Sequence, residues 1–255
     1  MLKDFIEAFK VKDLWIYMAW YDVVSKYRRT KLGPIWSIII TAVSIVCMAV
    51  LGSILFKQPI ENFLPYVACG MVVWTYISSI ILDSCNVFLN NASLIQNVRL
   101  PLFAFILRMF LRNTILFAHS LVILFVVLVF SSNVSLYWLY IIPAILVCGV
   151  NAITMSIILG FFSTRYRDVL YIVQAILNIV ILLTPIMWKV EMLGEYEYLA
   201  AINPFTHFIA LFRNPFLGQD IEMESIVFVS IFTVISWMFA YLLYSRFKNR
   251  LVYWL

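Results

Sequence analysis

The chain has 255 residues, of which 64% are hydrophobic and 12% charged, with a formal net charge of +5. A water-soluble domain is about half apolar and a quarter charged, so this composition excludes an ordinary soluble enzyme and requires lipid as solvent. The positive excess lies at the edges of apolar segments rather than in one patch, which removes nucleic acid as a partner.

Residues 1–31 are rich in charge and lack the uncharged core and small-residue cleavage site of a secretory leader. Val11, Leu14, Trp15, Met18 and Tyr21 fall on one helical face, which predicts an amphipathic helix lying in the membrane interface with Trp15, Trp20 and Tyr21 at headgroup depth, the alternative being a cytosolic helix packed on a partner. Six apolar segments then follow, approximately 35–56, 64–82, 113–130, 136–162, 169–187 and 225–245. Each is long enough for a helix to cross a hydrocarbon core about 30 Å thick. The expected fold is therefore an all-α integral membrane protein with six transmembrane helices, built from an interface segment (1–31) and a transmembrane domain (32–255).

The basic residues give the orientation. Fifteen of the eighteen Lys and Arg residues fall on one side of the six segments, and only Lys57, Lys189 and Arg213 lie opposite. Cytoplasmic loops carry such an excess, so both termini are expected in the cytoplasm. An even number of spans agrees.

Between the second and third segments, Asn90-Asn91-Ala92-Ser93 breaks regularity, and Ser93 with Gln96 fits a capping box. Pro101 disfavours helix at Leu100, which leaves residues 94–99 as one short helix presented to the cytosol. Further on, Arg108, Arg112 and His119 fall on one narrow helical face. They read either as a basic stripe able to attract a lipid phosphate, or as interfacial anchors with His119 paired to a neighbour. Arg165, Arg167 and Asp168 fill the short loop before the fifth segment, as anchors with a local ion pair or as part of an inner gate.

The stretch 188–218 is too apolar for a plain loop and too short to span. Asn203-Pro204 is a helix-start signal, and the apolar helix it opens is expected to stop near Arg213-Asn214-Pro215. This pattern suggests a re-entrant or interfacial element, the alternative being an ordinary amphipathic surface helix. Trp36, Tyr66, Trp74, Tyr76 and Trp188 lie near predicted span ends; most such aromatics form interface belts, and a minority could contact sugar along a channel.

Enzyme chemistry is not signalled. The phosphate-binding pattern GxxxxGK[ST] is absent, HExxH is absent, and the only histidines are His119 and His207. No catalytic residue, metal site or cofactor is assigned to the chain. The four cysteines lie in or beside apolar segments and read as buried small side chains.

Several runs together resemble one family. Tyr27-Arg28-Arg29-Thr30-Lys31-Leu32-Gly33-Pro34-Ile35-Trp36 resembles the R-Y-(K/R)-x-(S/T)-x-L-G-x-x-W motif before span one of the type-2 ABC exporter permeases. Arg165-Tyr166-Arg167-Asp168 resembles that family's R-(Y/F)-R-D loop, and Thr184-Pro185-Ile186 its (S/T)-P-(I/V) close to span five. Asn203-Pro204, Arg213 and Leu217-Gly218 are similar to its next segment. Length and motifs look most like the permeases for lipid-linked polysaccharide.

The resemblance implies a homodimer of permeases in the bacterial inner membrane, working with two copies of a separate P-loop ABC ATPase that binds the ATP and Mg. It implies an undecaprenyl-pyrophosphate-linked polysaccharide as substrate. Ser93, Leu94, Ile95, Gln96, Asn97, Val98 and Arg99 would form the coupling helix that docks on the ATPase. Asn203, Pro204, Arg213 and Gly218 would belong to re-entrant helices near the outer exit. Alternative cargoes are teichoic acid, capsule, a drug or another lipid; a membrane glycosyl- or acyltransferase ranks last, because no acidic or histidine constellation supports it.

Overall fold

The computed structural model describes residues 1–28, 33, 35–98, 100–130 and 135–255, without the side chains of residues 37 and 130. Of the residues singled out above, Arg99 and the motif positions Arg29, Thr30, Lys31, Leu32 and Pro34 lie outside the described residues.

All regular structure among the described residues is helical. Helices α1 (Leu2–Lys10) and α2 (Lys12–Tyr27) are separated by a break at Val11. They run beside the first half of α6. The face of α2 that packs on the protein is centred on Ala19 and Val23, which are buried, while Tyr17, Trp20 and Tyr21 face outward. Small side chains let α2 approach its neighbour closely, and the aromatics take the opposite side, where an interface would hold them.

The long helices are α3 (Ile35–Phe56), α4 (Ile60–Asn86), α6 (Leu102–Phe130), α7 (Ile141–Arg165) and α11 (Met223–Phe247). These provide five segments long and apolar enough to cross a membrane. Between α4 and α6 sits the short α5 (Ala92–Asn97). The segment expected as the fifth span is shorter: α8 (Val169–Leu183) has 15 residues, about 22 Å, against the roughly 30 Å of a hydrocarbon core. After it come α9 (Tyr198–Ile202), α10 (Pro204–Phe216) and, at the end of the chain, α12 (Leu251–Trp254).

Helix α4 is the axis of the bundle. It packs against α3, α6, α7, α8 and α10, and most of its length is buried. Lipid tails are as apolar as leucine, so close approach and shared hydrogen bonds replace the hydrophobic effect in holding such helices together. Both devices are present. A Cβ at Gly160 of α7 would meet the Phe88 ring at 2.8 Å, so only glycine admits that contact. Ser84 of α4 bonds Ser156 of α7 (3.1 Å), and α7 bonds α11 through Asn151 to Thr233 (2.8 Å) and Thr154 to Ser236 (3.3 Å). Such interhelical bonds contribute about 0.6 kcal/mol each.

Candidate functional site

At the basic end, α5 is an exposed turn of helix on a fixed base. Ser93, Gln96, Asn97 and Val98 are exposed, while Leu94 and Ile95 are half-buried against the inner core. The capping box expected at Ser93 does not form: the helix starts at Ala92, and its N-cap, Asn91, makes no capping bond. Asn91 is committed elsewhere. Its Nδ2 donates to the Val87 carbonyl (2.7 Å), and its Oδ1 accepts from Arg108 Nη1 (3.0 Å).

Arg108 is the centre of a network across three helices. Its Nε and Nη2 donate to the two oxygens of Asp22 on α2 (2.7 and 2.6 Å), a planar fork on a carboxylate. Arg112, one turn on, donates to Asp83 of α4 (2.6 Å), which also accepts from Asn113 Nδ2 (2.7 Å). The free basic stripe expected of Arg108, Arg112 and His119 is therefore not what the fold presents. Two guanidinium groups face two carboxylates, and the cluster is close to neutral. His119 sits apart from it, with Nδ1 bonded to the Ile115 carbonyl (2.7 Å). It lines a cleft of about 170 Å³ with Lys26, Asn113 and Ser120, between the end of α2 and helices α3, α4 and α6.

A second tie fixes α1. The Asp4 carboxylate accepts from the Tyr244 hydroxyl of α11 and pairs with Lys248. Burial pushes the Asp4 carboxyl up, but the Lys248 ammonium and the Tyr244 hydroxyl outweigh it and hold the group below its ordinary value.

In the inner loop, Arg165 lies over the Trp254 ring (5.3 Å) and donates to the Tyr166 hydroxyl (3.1 Å). Arg167 and Asp168 are exposed beside it at the start of α8. Among the described residues neither forms an ion pair, so the local pair expected in this loop is absent.

The segment after α8 is where residues distant in sequence converge. A helix end exposes carbonyls that nothing in lipid can satisfy. Here Thr184-Pro185 stops α8: the Thr184 N–H still reaches the Val180 carbonyl (2.9 Å), Pro185 has no N–H to offer that of Ile181, and side chains take up those of Leu182 and Leu183. Thr184 Oγ1 donates to the Val180 carbonyl (2.7 Å) and Trp188 Nε1 to that of Leu182 (3.1 Å). Asn203 Nδ2 reaches Thr184 Oγ1 (3.0 Å) and the Leu183 carbonyl (3.4 Å). The Pro185 carbonyl accepts from both Arg213 Nη1 (2.6 Å) and the Tyr66 hydroxyl (3.1 Å), and Tyr66 also reaches the Trp188 carbonyl (3.1 Å). The Arg213 guanidinium lies 4.3 Å from the centre of the Tyr66 ring. Ile186 then seats on α4 at Gly70, where a Cβ would meet it at 3.1 Å.

The same asparagine starts the next helix. Asn203 Oδ1 accepts from the Phe205 backbone N–H (3.0 Å), with Pro204 at the first position, as the sequence predicts. The stop falls where expected to within a residue: α10 ends at Phe216, just after Arg213-Asn214-Pro215, and Gly218, at φ +72°, closes it with a 2.8 Å bond from the Gln219 N–H to the Asn214 carbonyl.

The aromatics expected near sugar divide. Trp36 is exposed, and Tyr66 and Trp188 belong to the clamp just described. Trp74 and Tyr76 are instead buried inside the protomer. Trp74 packs edge-on against Phe205, while Tyr76 stacks on Phe117, bonds Thr114 and lines the cleft that holds Lys26 and His119. Sequence reasoning missed Asp22 and Asp83 as partners of the arginines. The available signal was four opposite charges, Asp22, Asp83, Arg108 and Arg112, close to the ends of apolar segments that would have to neutralise one another.

Comparison with known proteins places these features. Residues 13–217 match the ABC-2 type transporter family. The chain is 22% identical to the O-antigen export system permease protein RfbA of Klebsiella pneumoniae over 241 residues, 93% of each chain. It is 19% identical to the protein of the same name from Myxococcus xanthus over 254 residues, 96% of this chain and 97% of that one. The five apolar crossing helices agree with a multi-pass membrane protein, and the bacterial inner membrane fits such a permease. With four-fifths of its length inside the family match, this chain belongs to the ABC-2 type transporter family of membrane permeases.

Proposed function

We propose that the chain is the membrane half of an ATP-driven exporter of lipid-linked polysaccharide, working as a homodimer with two copies of a separate ABC ATPase. The observation that carries this reading is the joint at the basic end. An exposed short helix, α5, is bonded through Asn91 to Arg108, and Arg108 is bonded through Asp22 to α2. A push on residues 93–98 then moves α2, α4 and α6 together, as coupling to an external motor requires. ATP and Mg belong to that motor, and the termini face it in the cytoplasm.

The relatives named above are O-antigen export permeases, and this supports a glycan on a lipid carrier as the cargo. The carrier's phosphates meet Lys26 and His119 in the cleft beside α3, because Arg108 and Arg112 are already neutralised. The outward faces of α3 and α8, where Val43, Ile172 and Ile176 are half or more exposed, supply the seam between two copies. Residues 184–218 form a re-entrant element whose broken helix ends are closed by the Tyr66–Arg213 clamp, and α8 with this element makes the sixth crossing.

The test is reconstitution of the permease with an ABC ATPase that co-purifies with it. Lipid-linked glycan should stimulate ATP hydrolysis, and Lys26→Gln with His119→Gln should abolish the stimulation while leaving the complex intact. Stimulation by a drug or an unglycosylated lipid alone would replace the cargo assignment. Glycan transfer by the permease without nucleotide hydrolysis would overturn the whole reading.

A further inference from the structure

A pocket of about 310 Å³ opens between the basic ends of α7 and α11, floored by the C-terminal helix α12. Two guanidinium groups, Arg165 and Arg250, line it. Both are exposed, and among the described residues neither enters an ion pair. This contrasts with Arg108 and Arg112, which meet carboxylates. The remaining wall is aromatic and aliphatic: Tyr166, Trp254, Phe162 and Leu243, with Phe162 41% exposed on the outer flank of α7. Arg165 is held in place by the Trp254 ring and the Tyr166 hydroxyl, so the charge is positioned rather than trailing in solvent.

The chemistry that fits has an anion at one end and hydrocarbon at the other. Two uncompensated arginines suit a phosphate, which the guanidinium fork can grip bidentately. Phe162 and Leu243 continue from the arginines onto the helix flanks that face acyl chains. Basic pockets between transmembrane helices at the cytoplasmic boundary suit acidic phospholipid headgroups. The pocket lies on the α7–α11 flank, while the cleft assigned to the carrier lies beside α3, which packs on α4 and α6.

We propose that the pocket lined by Arg165, Arg250 and Trp254 binds the phosphate headgroup of an acidic membrane phospholipid, and that this lipid mortars α12 to α7 and α11. The site is independent of the exported cargo. It ties the loop Arg165–Asp168 to the C-terminal helix through a bound lipid, so acidic lipid content would tune the stiffness of that loop.

The test is native mass spectrometry of the full-length permease in detergent, with phosphatidylglycerol and phosphatidylcholine in competition. The wild type should retain phosphatidylglycerol preferentially. Arg165→Gln and Arg250→Gln should each lower that preference about fivefold and the double variant about 25-fold. Arg246→Gln, an exposed arginine outside the pocket, should leave it unchanged. If the double variant does not fold, the single replacements decide. Equal retention of both lipids by the wild type, or an equal loss in Arg246→Gln, would overturn the proposal. So would displacement of the lipid by millimolar inorganic phosphate, which would make this a site for a free anion.

Discussion

At the basic end of the bundle, Arg108 and Arg112 meet Asp22 and Asp83 across three helices, with side chains 18–33% exposed. At the α8 break, Arg213 is 7% exposed and meets a backbone carbonyl and the face of Tyr66, with no ion pair among the described residues. The first arrangement cancels charge and ties α2 and α4 to α6. The second leaves the charge in place and sets it against the carbonyl of Pro185 in the turn that follows α8, sandwiched with an aromatic ring. One arginine ties helices to each other through carboxylates, the other ties a helix to a turn through backbone and ring.

The comparison can be broken most sharply at Arg213. Replacing it with Met leaves the Pro185 carbonyl to Tyr66 alone and should cost about 2–3 kcal/mol, read from thermal unfolding of the purified protein in detergent. Arg213→Lys should recover only part, since an ammonium can reach the carbonyl but lacks the flat fork over the ring. Full recovery with Lys would show that the ring contact contributes nothing.

At the other arginine site, Asp22→Asn and Arg108→Gln should each cost about 1–2 kcal/mol, and the double variant little more than either one. Strict additivity in that cycle would show that α2 is held by something else. Tyr66→Phe removes one hydroxyl from two carbonyls and should cost about 1 kcal/mol in the same assay.

The smallest effect concerns pH. Asp4 titrates below its ordinary 3.8 in the fold, so its contribution is present above that value and fades as pH falls through the lower, folded one. Proteolysis at the α1–α2 break should therefore rise below about pH 4 in the wild type. In Asp4→Asn it should already be raised at neutral pH and change little on acidification.

How much of this was readable from the residues depends on charge. Uncharged segments were legible: α3 and α7 match the expected spans closely, because a long apolar run in lipid has no alternative to helix. The apolar part of α6 was legible from 113, and the helical face of Arg108, Arg112 and His119 extended it backwards; what was not legible is the neutralisation of both arginines, because Asp22 and Asp83 come from other helices. Asn203-Pro204 announced a helix start and gave one, since that signal is local. Ser93 and Gln96 announced a short helix that is there, but not its cap: α5 begins at Ala92, two residues sooner than a Ser93 cap allows, and Asn91 is committed to Arg108. The 169–187 segment misled on length. Nothing in its hydropathy marks where Pro185 and its carbonyl partners end the helix.

The clamp at the α8 break also has a consequence for how two distant helices keep their alignment. Tyr66 of α4 and Arg213 of α10 grip the same Pro185 carbonyl, so neither can slide along the other without loosening the turn that follows α8. That turn therefore registers the relative position of two segments about 150 residues apart in the chain.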